Sequence, residues 1–186
     1  MRISSLLALT LTTASIMGIN LPPTPAIQRR DGSVSFESAP RLLDAVTTYN
    51  NTGVWAAKYY FTIDLPADAG EPLGKVTIAQ REGFEDIKFE LEDTFAFVGT
   101  HRNKGKRLNV SQVNKNEETG AITVNFEPAI PPGTTFTVGL KPKRNPLYGG
   151  VYLFGVTVFP AAEIPYPLYI GVGRMHFYGD WYDSFY

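Results

Sequence analysis

The densest run of chemically competent side chains is His101-Arg102-Asn103-Lys104-Gly105-Lys106-Arg107, four Lys/Arg and a histidine in seven residues. Such a run offers an anion contact, for a lipid headgroup, a sulfated glycan or an acidic protein face. Gly105 reads as the tip of a loop. Lys141, Lys143 and Arg144 extend the patch if their loop falls at the same end. The plain alternative is a solvated hairpin. Glu85-Asp86 and Glu92-Asp93 are adjacent carboxylate pairs. Neighbours along a strand point to opposite faces, so neither makes an acid/base couple by itself. The acidic segment lacks the Asp-x-Asp-x-Asp spacing of a calcium loop. The chain has two histidines and no cysteine. Thiolate metal sites are therefore excluded, and a multi-histidine site is almost excluded: His101 and His176 could share an ion only if the fold joined them. A Gly-x-Ser-x-Gly elbow, His-Glu-x-x-His, a P-loop and a dinucleotide fingerprint are all missing from the sequence. No catalytic residue, metal site or cofactor is assigned on this basis.

A second group of candidates is aromatic. Tyr178, Trp181, Tyr182, Phe185 and Tyr186 follow Phe177 at the end of the chain. Tyr and Trp are favoured at protein interfaces, so this tail is a candidate contact patch. Its alternative is packing on the domain. A membrane barrel also ends in an aromatic residue, but alternation fails here and fourteen prolines oppose long membrane strands. The run Val151–Phe159 is apolar at both parities. Either it lies under a loop or the tail, or its outer face is a contact surface; Tyr152 and Phe154 are the candidates there. Arg144-Asn145-Pro146-Leu147-Tyr148-Gly149-Gly150 reads as a chain reversal in which Arg144 could bridge to a carboxylate and fix the loop; a binding site on this segment, Arg144 included, is the alternative.

The elements that must position these groups are strands. Trp55, Ala57, Tyr59, Phe61, Ile63 and Leu65 alternate with Ala56, Lys58, Tyr60, Thr62 and Asp64. The same period of two runs through Val76–Arg81, Ile87–Glu92, Ile122–Glu127 and Thr135–Lys141, each of the five a half-buried strand with one wet face. Leu42–Tyr49, Leu108–Val113, Val151–Phe159 and Leu168–Phe177 complete about nine strands, separated by turns such as Pro131-Pro132-Gly133. The expected fold is an antiparallel β-sandwich, immunoglobulin-like in general shape, over residues 36–178. Residues 27–35 read as a mobile leader, and 179–186 as the aromatic tail.

Residues 1–26 join a short positive start at Arg2 to an apolar run and Thr24-x-Ala26. This is the pattern of a secretory signal peptide, and the run is short for a retained membrane span. No later segment is apolar and long enough to cross a bilayer. Seventeen Lys+Arg against eighteen Asp+Glu give a net charge of −1, which argues against a nucleic-acid partner held by net charge.

Several motifs in order carry a family resemblance. They include Gly53-Val54-Trp55, Tyr59-Tyr60-Phe61, Gly70-Glu71-Pro72-Leu73, Gln80-Arg81-Glu82-Gly83 and Leu91-Glu92-Asp93-Thr94. Pro131-Pro132-Gly133-Thr134, Arg144-Asn145-Pro146, Tyr148–Val156 and His176-Phe177-Tyr178 follow. Together they resemble a family of small exported cyanobacterial proteins built on a domain of unknown function, over roughly residues 36–178. The resemblance implies export to periplasm, thylakoid lumen or cell surface, and no activity. The expectation is an exported, non-enzymatic binding or accessory module for an envelope- or thylakoid-associated protein or glycan. The alternative is an uncharacterised periplasmic hydrolase or metal-binding protein; a third possibility is surface-layer material.

Overall fold

Alternating apolar residues bury one face of each strand, and two such faces closing on each other make the core. The computed structural model describes residues 27–179. Its strands are β1 (Ile27–Gln28), β2 (Val34–Ser35), β3 (Arg41–Thr47), β4 (Tyr59–Leu65), β5 (Leu73–Glu82) and β6 (Phe89–Gly99). They continue with β7 (Lys104–Leu108), β8 (Val110–Lys115), β9 (Ile122–Ile130), β10 (Thr134–Pro142), β11 (Gly150–Pro160) and β12 (Leu168–Phe177). One five-stranded sheet runs β3-β4-β10-β6-β7 and the other β12-β11-β5-β9-β8, all pairs antiparallel. The expected sandwich, immunoglobulin-like in general shape, is the observed fold. No helix among the described residues is long and apolar enough to cross a membrane.

The core is aromatic where the sheets meet. Phe61 of β4 meets Phe154 of β11, and Phe126 of β9 meets Phe136 of β10, each edge-on at 5.8 Å. Tyr59 contacts Phe89, Phe154 and Phe177. Edge-to-face pairs of this kind add about 0.5–1.5 kcal/mol each to the burial itself. The strands β3 and β12 close one side of the sandwich, where Gly173 lets the chains approach. A Cβ at Gly173 would stand 2.4 Å from Ala45 Cβ.

Three expectations need correction. Residues 27–35 do not hang free of the fold: β1 and β2 form a hairpin tied to the 161–167 loop by Val34 N–H to Ile164 O at 2.9 Å and Tyr166 N–H to Val34 O at 2.8 Å. Arg29 lies 3.5 Å over the Tyr166 ring. Trp55 belongs to a loop, not to β4, and is 75% exposed. The outer face of β4 is not wet, since Tyr60 and Thr62 are buried. The reason is a further layer on that face, in which His101 stacks on Tyr60 at 6.2 Å and Phe95 and Phe97 of β6 meet its edge.

Candidate functional site

Strand reversal puts the 48–58, 83–88 and 143–149 segments and residues 178–179 at one end of the sandwich. A single buried side chain ties two of them, 143–149 and 48–58, to each other and to β4. Asn145 is 0% exposed, and its carboxamide oxygen accepts the Tyr59 hydroxyl at 2.9 Å. Its amide nitrogen donates to the carbonyls of Tyr49 and Asn51, both at 2.8 Å. Its backbone N–H donates to Val54 O at 2.7 Å. Every hydrogen-bonding atom of the carboxamide except one acceptor lone pair is thereby used, which makes Asn fit where Leu or Asp would not. Burial pushes the Tyr59 hydroxyl well above the usual phenol range, so it stays a donor. Gly53 N–H bonds Pro146 O at 3.0 Å, Leu147 N–H bonds a Glu85 carboxylate oxygen at 2.8 Å, and Thr52 N–H bonds Tyr178 O at 3.0 Å.

On this framework stand Tyr49, Trp55, Phe84, Leu147, Tyr148 and Tyr178, six of the eleven exposed large apolar side chains among the described residues. Phe84 is 83% exposed and lies 5.9 Å from Tyr148. Leu147 packs 3.8 Å from the Cβ position of Gly53, and His176 stacks on Tyr178 at 6.5 Å. Concentration of exposed apolar groups at one end, rather than their scatter, is the mark of a contact surface.

The second feature is a groove of about 590 Å³ on the outer face of the β3-β4-β10-β6-β7 sheet. Its floor is Tyr60, Phe95 and Phe97, with the two phenylalanines near parallel at 6.2 Å. Gly139 of β10 sits opposite Phe95 and makes this possible: a Cβ there would lie 2.4 Å from the ring. Beside it the register opens. Glu90 pairs with Lys141 and Phe95 with Gly139, so Leu91–Thr94 bulge out against one residue of β10 and form a rim. Lys104 lies 5.1 Å over Tyr60, while Lys58 and Arg107 lie 5.7 and 5.6 Å over Phe95. Lys141 is held by Glu90 at 2.6 Å and Asp93 at 2.7 Å. Those carboxylates raise the Lys141 pKa, and the Lys141 ammonium lowers that of Asp93.

The structure sorts the candidate residues. Tyr152 and Phe154 are corrected: they are 0% and 1% exposed, point into the core and are closed to a partner. Val151 is the exposed member of that strand's outer parity, with Leu153 and Phe159 half-buried. Tyr178 joins the apolar end; Trp181, Tyr182, Phe185 and Tyr186 lie outside the described residues. The basic run is a turn and a strand, not a loop with Gly105 at its tip; the reversal is closed by Thr100 and Asn103. Lys104 and Arg107 line the groove, as does Lys141; Arg102 and Lys106 are exposed outside its lining. Arg144 does not extend this patch but lines a separate cleft with Glu85, Asp86, Lys88 and Lys143. His101 and His176 belong to different sheets: His101 follows β6 and lies 3.7 Å from Asp44, whereas His176 is in β12. No group of three potential metal ligands occurs among the described residues.

Sequence reasoning passed over Trp55 and Phe84, and over the groove floor; Leu147 and Tyr148 lie in the 144–150 segment, for which it kept binding as an alternative. The signal for the first set was large apolar residues inside turn-rich segments. For the second it was apolar character at both parities in Tyr59-Tyr60-Phe61 and Phe95-Ala96-Phe97.

Two antiparallel sheets with an apolar loop end and a cation-lined outer groove define a β-sandwich module. The chain matches the family described as Protein of unknown function (DUF2808) over residues 33–177, and it belongs to that family. No curated protein matches it. Among known structures it is similar to the collagen-binding domain from a Staphylococcus aureus adhesin, with 13% identity and a TM-score of 0.41 over 77% of this chain and 98% of that one. It is similar also to the bacterial hydrophobin BslA, with 14% identity and a TM-score of 0.44 over 77% and 96% of the two chains. A putative membrane anchored protein from Corynebacterium diphtheriae gives 10% identity and a TM-score of 0.44 over 77% and 37%.

Proposed function

We propose that this protein is an exported, non-enzymatic binding or accessory module that holds its partner at the apolar loop end. The observation that carries the reading is the gathering of Trp55, Phe84, Leu147, Tyr148 and Tyr178 on segments held by Asn145, by the Leu147–Glu85 bond and by the Thr52–Tyr178 bond. Apolar surface left in water forgoes about 25 cal/mol per Å², which a partner recovers by covering it. Loops fixed by buried hydrogen bonds lose little entropy on binding, so more of that gain appears as affinity. Export rests on the signal-like residues 1–26, and the compartment, periplasm, thylakoid lumen or cell surface, on the family resemblance. The partner is an envelope- or thylakoid-associated protein or glycan. Gly179 lies beside the same loops, with the Gly149 Cβ position 3.0 Å from its nitrogen.

The test is sedimentation of the mature protein with washed envelope and thylakoid membranes from the organism that makes it. Saturable retention is expected, lost in a Trp55→Ala/Phe84→Ala/Tyr148→Ala variant whose circular dichroism is unchanged. Retention by the variant equal to that of the wild type overturns the reading.

A further inference from the structure

We propose that the groove on the outer face of the β3-β4-β10-β6-β7 sheet is a second binding site, which takes an acidic polysaccharide, a sugar chain bearing carboxylate or sulfate. The site is independent of the loop end and of what binds there. Its cations are of two kinds. Lys141 is consumed by Glu90 and Asp93. Lys58, Lys104 and Arg107 meet no carboxylate within 4.0 Å among the described residues. They are held instead over aromatic rings, and Lys104 donates to the Tyr60 hydroxyl at 3.3 Å. A ring face orients a cation without neutralising it, so each keeps its charge for a ligand. Three unneutralised cations along one groove favour an anion that repeats.

Three features select a sugar chain among polyanions. The cations lie over aromatic rings along one groove, so a narrow chain running in it meets them in turn. The Glu92 and Asp93 carboxylates stand on the rim; they accept hydrogen bonds from the sugar hydroxyls that lie between a chain's anionic groups. Phe95 is half-buried, with Lys58 and Arg107 over its ring, and leaves apolar ring edge beside two charges. An acidic pyranose carries an apolar C–H face and an anionic group on one ring, whereas an acidic peptide divides them between residues. The volume, about 590 Å³, lies within the roughly 300–1,000 Å³ of ligand sites.

The experiment titrates the mature protein with oligogalacturonate and dextran sulfate by calorimetry, against neutral dextran, polyglutamate and phosphatidylglycerol vesicles. Two double variants carry the same change in net charge: Lys104→Gln/Arg107→Gln in the groove and Arg102→Gln/Lys106→Gln outside it. The expected result is binding of one or both acidic sugars that weakens as salt rises. The groove variant loses affinity by about tenfold or more per cation removed, and the outside variant stays within about twofold of wild type. Equal losses in both variants would show attraction by net charge alone and overturn the assignment. So would binding of polyglutamate or vesicles as tight as that of the acidic sugars, or no binding of either sugar.

Discussion

Removing the Asn145 carboxamide separates a fold that merely has loops from one whose loops are held for use. In Asn145→Ala the Tyr59 hydroxyl, on a residue with no exposure, loses its acceptor. An orphaned buried donor costs about 1–3 kcal/mol. The carbonyls of Tyr49 and Asn51 sit on exposed residues and recover water, so each lost bond costs about 1 kcal/mol net. The expected destabilisation is about 4 kcal/mol, a fall in Tm of about 8–16 °C for a domain of this size. Tyr59→Phe removes the orphan, so the double variant should be less destabilised than the two single changes together, with a coupling of about 1–2 kcal/mol. Urea unfolding followed by circular dichroism gives the global term. Fluorescence of Trp55 in a Trp181→Phe background reports the loop, and amide exchange at Thr52 and Gly53 reports its hydrogen bonds to Tyr178 and Pro146. A loss below about 1 kcal/mol with Trp55 emission and exchange unchanged would refute the role given to Asn145, as would strict additivity.

Two further outcomes follow from close contacts and charge. Gly173→Ala drives a methyl against Ala45 and should destabilise by about 1–3 kcal/mol in denaturant unfolding, with partial recovery in Gly173→Ala/Ala45→Gly; a neutral Gly173→Ala would contradict the tight β3–β12 edge. The Lys141 pair has a defined acid dependence: Asp93 has a lowered pKa in the fold, so its contribution is complete above the ordinary carboxylate value of about 3.9 and is lost as pH falls through the lowered one. Lys141, raised in the fold, is fully charged throughout that range. Lys141→Met should therefore destabilise at neutral pH and progressively less in acid; an equal loss at about pH 7 and about pH 2 would contradict the ion pair.

Much of the architecture was legible because a period of two is local. Ile122, Val124 and Phe126, and Phe136, Val138 and Leu140, alternate cleanly, and all six are buried. Where both parities are apolar the sequence carries no sign. In Val151–Phe159 the long-range pairing with β5 and β12 decides that Tyr152 and Phe154 face inward. Trp55 extends the alternation of β4 on paper, yet the strand starts at Tyr59. The preceding loop is held by Asn145, which lies 86 residues beyond Tyr59 in sequence. The Leu91–Thr94 bulge breaks the period of β6 and hid Phe95 and Phe97 from a reading that ended the strand at Glu92. The basic run showed in the sequence as charge; which of its members share a groove depended on register with β6.

The most direct test of the loop end as the contact surface is site-specific photocrosslinking in the organism that makes the protein. A photoreactive residue replaces Tyr148 at the apolar end or Ile164, which is also exposed but on the β11–β12 loop at the opposite end. The expected result is one discrete adduct from position 148, identified by mass spectrometry, and none from position 164. Adducts from 164 alone, or from neither position, would contradict a partner held at the loop end.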